Sequence, residues 1–191
     1  MNLNSNTYYL SENINENNEY LRYFFISEGN QAIIKIIDYQ FVQDYGDHNI
    51  YNLAFGNYNP ENDTVVDDAN SNNGDVYPVF NTVLSSIPKF FEIFPNEKII
   101  VQGSDNTEEF LNKCKQNCIK KYKDGKCRKF NQRLRIYKNY VDKNYDDLIN
   151  EYTFYGGYKD ELNNSYLEKY IKHKEYFSVV VEKKVISLYY G

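Results

Sequence analysis

Runs of aromatic and β-branched residues near the N-terminus constrain the fold most, because such residues favour strands over helices. Residues 20–27 and residues 32–42 are two runs of this kind, and a Glu-Gly-Asn turn signal separates them. Together they predict a β-hairpin. Residues 49–55 alternate apolar and polar positions and extend the predicted sheet, whereas residues 56–76 are rich in Gly, Asn and Asp and are predicted to be a loop.

Helical periodicity replaces this pattern in the middle of the chain. Apolar residues recur at helical spacing over residues 76–93, with Asp75 as the predicted N-cap, because its carboxylate can accept hydrogen bonds from the first helical turn. Pro88 lacks an amide hydrogen and is therefore predicted to kink or end this helix near Ile87. Residues 98–102 predict a short strand that ends at a Gly-Ser pair.

Two further helices and two late strands complete the pattern. A capping-box start at Asp105 opens one helix, and a second is predicted over about residues 128–150, so that the two form an antiparallel hairpin. Residues 152–155 followed by Gly-Gly indicate a strand and a turn, and residues 177–181 indicate a late strand. This order predicts an α+β fold: a mainly antiparallel sheet with helices packed on one face, in a single domain over residues 1–191.

Composition excludes several classes of protein. The chain has 191 residues, of which 41% are hydrophobic, so it can build a core and is not a disordered chain. No stretch approaches the roughly 18 apolar residues of a membrane span, and the first twenty residues contain no Lys or Arg, unlike a secretory signal. Three cysteines do not make a disulfide scaffold. We therefore expect a cytoplasmic protein that does not bind membranes.

The charge is distributed unevenly along the chain. The net charge is -5, from 22 Lys and Arg against 27 Asp and Glu, yet residues 113–138 contain 11 of the 22 cations and only one acid, Asp124. The rest of the chain has 11 cations against 26 acids, a net charge of -15. This asymmetry predicts a surface for a polyanion or an acidic partner. Alternatively, the basic segment lies against the acidic body or forms a solvated helix face.

A series of short motifs, taken in order, resembles an uncharacterised bacterial family of small proteins. Residues 51–57 (Tyr-Asn-Leu-Ala-Phe-Gly-Asn) match its YNLxFGD motif, and residues 71–75 (Ser-Asn-Asn-Gly-Asp) match SNNGD. A Thr-Val pair, a strand ending in Gly-Ser, an RxRxY helix and an aromatic strand ending in Tyr-Gly follow, here at Thr82-Val83, Gly103-Ser104, Arg133 to Tyr137 and Tyr152 to Gly156. The resemblance implies the same fold and no particular reaction, because the family has no assigned activity.

The chain departs from the pattern of that family at two places. Asn57 stands where the family has Asp. In the family the Arg helix follows the Gly-Ser pair almost directly, whereas here a segment with all three cysteines and most of the cations intervenes. We therefore predict an inserted basic helical hairpin, with the insertion at about residues 105–130.

Backbone and side-chain donors predict an anion-binding site. A Gly-Ser pair between a strand and a helix presents free amide hydrogens, and the two arginines of the RxRxY helix supply forked donors for phosphate. The predicted anion-binding residues are Gly103, Ser104, Lys120, Lys121, Lys123, Arg128, Lys129, Arg133, Arg135 and Tyr137. Alternatively, acidic residues in the first turn of the following helix favour plain capping and Arg–carboxylate pairing.

Two groups of residues have side chains that bind metals, yet neither has the required spacing. The acidic loop over residues 63–75 does not match the spacing of a calcium loop and has Val79 where the bidentate Glu is needed, which favours a loop of Asx turns. Cys114, Cys118 and Cys127 are three thiols where zinc usually needs four ligands, which favours packing on a helix. We expect no metal and no cofactor.

Three functional hypotheses follow from these features. The leading one is an intracellular binding protein whose basic helical hairpin engages a polyanion (nucleic acid or nucleotide) or an acidic partner. The second is a nuclease or nucleotide-acting enzyme in which Arg133 and Arg135 stabilise charge and Tyr137 donates a proton. The third, by analogy alone, is a protein-interaction component of a bacterial defence or toxin–antitoxin pair.

Overall fold

The computed structural model describes residues 6–14, 17–66, 73–103, 109–112, 131–160, 162 and 164–184. The chain forms two compact units that divide between Ile99 and Ile100. Each unit combines antiparallel strands with a helix, which confirms the predicted α+β class. No helix in the described ranges is long and apolar enough to cross a membrane.

The first unit is built mainly from five strands: β1 (Ser11–Ile14), β2 (Tyr20–Ser27), β3 (Ile33–Tyr45), β4 (His48–Asn59) and β5 (Thr64–Val66). β2 and β3 form the predicted hairpin, β4 pairs with β3, and β1 pairs with β2, all antiparallel. Gly46 connects β3 to β4 with a φ of +62°, a conformation that glycine adopts without steric cost. The N-terminal half of the predicted sheet is therefore confirmed.

The segment predicted as a loop over residues 56–76 is partly strand. β4 continues to Asn59, and β5 folds back on it with Val66 opposite Asn57. A Cβ atom on Gly56 would lie 2.6 Å from the Val65 side chain, so glycine permits this close approach. The loop prediction is wrong here because Gly and Asn, which are typical of turns, also occur in this paired strand.

α1 (Val76–Ile93) has the bounds of the predicted helix and packs its aromatic residues on the strands of the first unit. The ring centroid of Phe90 lies 4.7 Å from that of Tyr39 on β3 and 5.3 Å from that of Tyr51 on β4. The hydroxyl of Tyr39 also bonds to Ser86 Oγ at 2.7 Å. This aromatic cluster is the core of the first unit.

Of the two outcomes predicted for Pro88, an end of the helix near Ile87 is wrong, because α1 continues to Ile93. A proline inside a helix costs about 3 kcal/mol. Phe90 and Phe91 follow the proline and are fully buried, and burial of each stabilises the fold by about 1.5–3 kcal/mol. The packing of these two rings thus offsets the cost of the proline.

The corner before α1 connects three parts of the first unit. Asp75 takes the N-cap position, as predicted, but its carboxylate makes no capping hydrogen bond. It accepts hydrogen bonds from Ser27 Oγ at 2.6 Å and from Tyr8 Oη at 2.8 Å instead. Asn73 Nδ2 donates a further bond to Ser27 Oγ at 3.0 Å. The predicted capping hydrogen bond does not form, because donors distant in sequence reach this carboxylate.

The stability of the chain is expected to fall in acid through Asp75. Burial alone would raise the pKa of Asp75, but hydrogen bonds from Ser27 and Tyr8 and the charge of Lys35 hold it below the ordinary value of 3.8. A lowered folded-state pKa gives stability that is present above pH 3.8 and is lost as the pH falls through the folded-state value. Urea unfolding at neutral pH and at about pH 3 measures this loss.

The matched variant for this measurement is Asp75→Asn. It should be less stable than the wild type at neutral pH, and it should lose less stability between the two pH values, because it lacks the proton uptake of Asp75. An equal loss in the two proteins would show that Asp75 contributes nothing to the pH dependence.

The second unit contains α2 (Gln132–Leu148), β7 (Tyr152–Lys159), β8 (Ser165–Lys169) and β9 (Ser178–Lys183), whereas β6 (Lys98–Gln102) spans the division between the units. β7 pairs antiparallel with both β8 and β9. α2 lies within the predicted helix over residues 128–150 and buries apolar residues of its predicted face, namely Leu134, Val141 and Leu148. Of the first helix of the predicted hairpin, residues 109–112 are helical and the rest lies outside the described residues.

β7 runs through the Gly-Gly pair that predicted a turn. Gly156 lies opposite Val179 of β9 and Glu168 of β8, in continuous antiparallel register. A Cβ atom on Gly156 would overlap the ring of Tyr176, which packs directly over the strand backbone. The turn prediction is therefore wrong, because this glycine makes room for an aromatic ring and does not reverse the chain.

Candidate anion-binding site

The two units carry net charges of opposite sign. Residues 1–99 contain 4 Lys and Arg against 14 Asp and Glu, a net charge of -10, whereas residues 100–191 contain 18 against 13, a net charge of +5. The uneven charge of the sequence thus follows the division into units. All the predicted anion-binding residues lie in the second, positively charged unit.

α2 carries the RxRxY residues of the predicted site. It begins after Asn131, which has a left-handed backbone with φ of +54°. Arg133 and Arg135 lie in its first turns, and Arg135, half-buried, donates a hydrogen bond from Nε to the carbonyl oxygen of Asn131 at 3.4 Å. Tyr137 is only 6% exposed. Its side chain therefore packs inside the unit and does not face an external ligand.

Lys138 does not contribute to a positive surface, although the sequence counts it in the basic segment. It is buried, and its Nζ lies 3.4 Å from Asp142 Oδ2 and 3.7 Å from Glu175 Oε1. Asp142 is one helical turn further along α2, so the two side chains meet on the same face. This lysine is therefore neutralised within the unit. For this one residue, the finding agrees with the alternative in which acidic residues compensate the basic segment.

Asp142 organises the polar interior of the second unit. Its Oδ1 accepts hydrogen bonds from Tyr170 Oη at 2.9 Å and from the backbone amide of His173 at 3.1 Å. Burial alone would raise the pKa of Asp142, but these two hydrogen bonds and the Lys138 charge hold it below its ordinary value. A buried and charged Asp142 thereby connects α2 to the segment between β8 and β9.

That segment presents a basic loop, residues 171–175 (Ile-Lys-His-Lys-Glu), on the surface. His173 has a left-handed backbone with φ of +68°, its side chain is 79% exposed, and its Nδ1 lies 3.5 Å from Asp142 Oδ2. The Nζ of Lys172 lies 5.8 Å from the centroid of the Tyr145 ring, and that of Lys174 lies 5.2 Å from that of Tyr158. The two lysines thus lie near tyrosine rings, and Lys172 also pairs with Asp146 at 3.7 Å and Lys174 with Glu168 at 2.5 Å.

The basic loop was missed by the sequence analysis. The sequence of residues 160–172 favours neither a helix nor a strand, and His173 is far in sequence from the other histidine. The local signal is the run Lys172-His173-Lys174 between tyrosines at positions 170 and 176. The decisive partner, Asp142, lies 31 residues away from His173, which no local pattern reveals.

The other predicted anion-binding residues are described only in part. Gly103 is buried at the end of β6. Six of them lie outside the described residues, namely Ser104, Lys120, Lys121, Lys123, Arg128 and Lys129. The convergence of the Gly-Ser pair with Arg133 and Arg135 therefore stays a prediction.

Two aspartates of the acidic loop over residues 63–75 lie in the described ranges, and both make other contacts. Asp63 pairs with Arg22 at 3.1 Å and accepts a hydrogen bond from Tyr58 at 3.1 Å, and Asp75 accepts bonds from Ser27 and Tyr8. Within the described part of the chain, no group of three or more His, Cys, Asp or Glu residues could hold a metal ion. The three cysteines lie outside that part.

Comparison with known proteins gives one match. The model of a family of unknown function, DUF6934, matches residues 4–114 of the chain. No curated protein and no solved structure matches the chain. The match confirms the resemblance to a family without an assigned activity over residues 4–114, whereas the motifs at residues 133–137 and 152–156 lie beyond it.

Proposed function

This chain belongs to DUF6934, a family of unknown function, and we propose that it is a binding protein for nucleic acid. The cations of its second unit contact the phosphate backbone. One observation carries this proposal: residues 100–191 have a net charge of +5 in a chain whose total net charge is -5. An excess of positive charge confined to one unit is the electrostatic footprint expected of a surface for phosphates.

The contacting residues of this proposal come from two segments. The first is the basic segment with the anion-binding set of the sequence apart from the buried Gly103, namely Ser104, Lys120, Lys121, Lys123, Arg128, Lys129, Arg133 and Arg135. The second is the basic loop, whose Lys172 and Lys174 also pair with Asp146 and Glu168 but, unlike the buried Lys138, are partly or largely exposed, as is His173. Lys138 is excluded because Asp142 and Glu175 neutralise it, and Tyr137 supports α2 from the interior.

Fluorescence anisotropy of a labelled single-stranded oligonucleotide of about 20 nucleotides, titrated with the full chain, tests the proposal. If about six phosphates are contacted, the affinity should fall about 300-fold between about 50 mM and about 200 mM salt. Absence of binding at low salt, or binding that does not change with salt, would overturn the proposal. Tighter binding of polyglutamate of equal length would overturn it in favour of an acidic protein partner.

A nuclease is the second candidate, because one exposed imidazole lies beside a buried carboxylate. Asp142 Oδ2 is 3.5 Å from His173 Nδ1, which leaves Nε2 as the atom that would exchange a proton with a ligand. His173 replaces Tyr137 in this role, since Tyr137 is buried. If the wild type cleaves a labelled single-stranded RNA and His173→Gln does not, this candidate is supported. If the wild type leaves the RNA intact, the candidate is removed.

A further inference from the structure

We propose that a pair of tyrosines at the edge of the second unit is a stacking platform for the bases of single-stranded nucleic acid. This inference rests on the proposed function and deepens it, since it names the form of nucleic acid that binds. The platform consists of Tyr158 on β7 and Tyr166 on β8, which lie directly opposite each other in the antiparallel register.

The two rings are arranged as an open stack. Their centroids are 5.6 Å apart and their planes differ by 24°, the offset-stacked geometry that aromatic rings favour. Tyr158 is the inner ring, and Tyr166 is 45% exposed on the edge strand β8. Since one face of Tyr166 lies against Tyr158, a planar base can extend the stack on its outer side.

Lys174 of the basic loop lies beside the inner ring of the platform. The Nζ of Lys174 lies 5.2 Å from the centroid of Tyr158 and also 2.5 Å from Glu168 Oε1. Hydrogen bonds from Asn164 and, to a smaller extent, from Tyr166 lower the pKa of Asp160, so a carboxylate also lies beside the outer ring. Lys159 and Lys169 are exposed on the two strands of this hairpin. Alternation along the strands puts these two lysines on the face opposite Tyr158 and Tyr166, so Lys174 is the lysine placed beside the platform.

Stacking on this platform selects single strands. In a duplex the bases are already stacked on one another, so an isolated aromatic ring can only engage a base that is unpaired or at an end. Base–tyrosine stacking also tolerates every sequence, because each base has a π-face. A chain that combines a basic segment with this ring is thus suited to bind single strands without sequence preference.

The test compares two probes of equal length and charge, single-stranded oligothymidine and the same backbone with every base removed. The full chain should bind oligothymidine more tightly than the abasic strand. Tyr166→Ala should weaken binding of oligothymidine by about 5- to 150-fold, the range for one stacked base, and should leave binding of the abasic strand unchanged. Tyr166→Phe retains the ring and should bind like the wild type.

Tyr45→Ala is the matched control. Tyr45 is a strand tyrosine of the acidic first unit, is 49% exposed, and has a lysine Nζ 5.9 Å from its ring centroid. It should not alter the binding of either probe. Equal affinity of the wild type for the two probes, with the expected salt dependence, would overturn the platform and leave the proposed function intact. Failure to bind either probe at low salt would overturn both.

Discussion

Replacement of Asp142 with Ala is expected to destabilise the second unit by about 3–5 kcal/mol, the range for breaking a buried ion pair from one side. Asp142 is 7% exposed and holds three partners: Tyr170 Oη, the backbone amide of His173 and Lys138 Nζ. Its loss leaves the buried Lys138 without its nearest counter-charge and leaves the donors of Tyr170 and His173 without this acceptor. Urea unfolding combined with hydrogen exchange in the second unit measures the effect.

A double variant separates the charge effect from a general loss of packing. Lys138→Met combined with Asp142→Leu removes both charges, so that no uncompensated buried charge remains. Its cost should be less than half of that of Asp142→Ala, because the main remaining penalty is the unpaired Tyr170 and His173 donors. If Asp142→Ala costs less than about 1 kcal/mol, as an exposed ion pair would, the role given to Asp142 is wrong.

The second large effect is expected from Gly156→Ala. The new methyl group would overlap the ring of Tyr176, which is buried over β7 and donates a hydrogen bond to Glu168 at 2.8 Å. Neither the strand backbone nor the buried ring can move away freely, so the substitution should cost about 2–3 kcal/mol, the upper part of the range for overpacking. The measurement is again the unfolding of the second unit.

A double-mutant cycle with Tyr176→Leu tests the cause of this cost. If the overlap with the ring is responsible, Gly156→Ala should cost much less in the Tyr176→Leu background, where no ring covers the strand. An unchanged cost would mean that the backbone of residue 156, and not its aromatic neighbour, excludes alanine. The same cycle bears on the candidate site, because Tyr176 lies beside the basic loop that we assign to phosphate binding.

Local patterns predicted much of the fold. The hairpin of β2 and β3, the helix α1 and the strand β6 each depend on side chains near in sequence, and their predicted positions are confirmed. The errors occur where a distant partner decides. Phe90 packs on two strands and Phe91 is fully buried, so α1 extends past Pro88, and Tyr176 covers Gly156, so a predicted turn is strand.

The candidate site was less predictable than the fold for the same reason. The sequence located the basic segment from its composition alone, but it gave no sign that Asp142 neutralises Lys138 or that Asp142 positions His173. The stacked pair Tyr158 and Tyr166 depends on the register of β7 against β8, and the sequence around β8 favours no single element. Contacts of this kind can be predicted only when the pairing and register of the strands are known.

The location of the phosphate-binding charge is the central claim, and the salt dependence of binding in two variants with equal net charge tests it most directly. Lys120→Gln combined with Lys121→Gln and the single variant Lys89→Glu each lower the net charge by two, the first in the second unit and the other on α1 of the first unit. The account predicts that the slope of log K against log salt, for a single strand, becomes shallower by about 1.4 in the double variant and is unchanged in Lys89→Glu. Equal slopes in the two variants would contradict it.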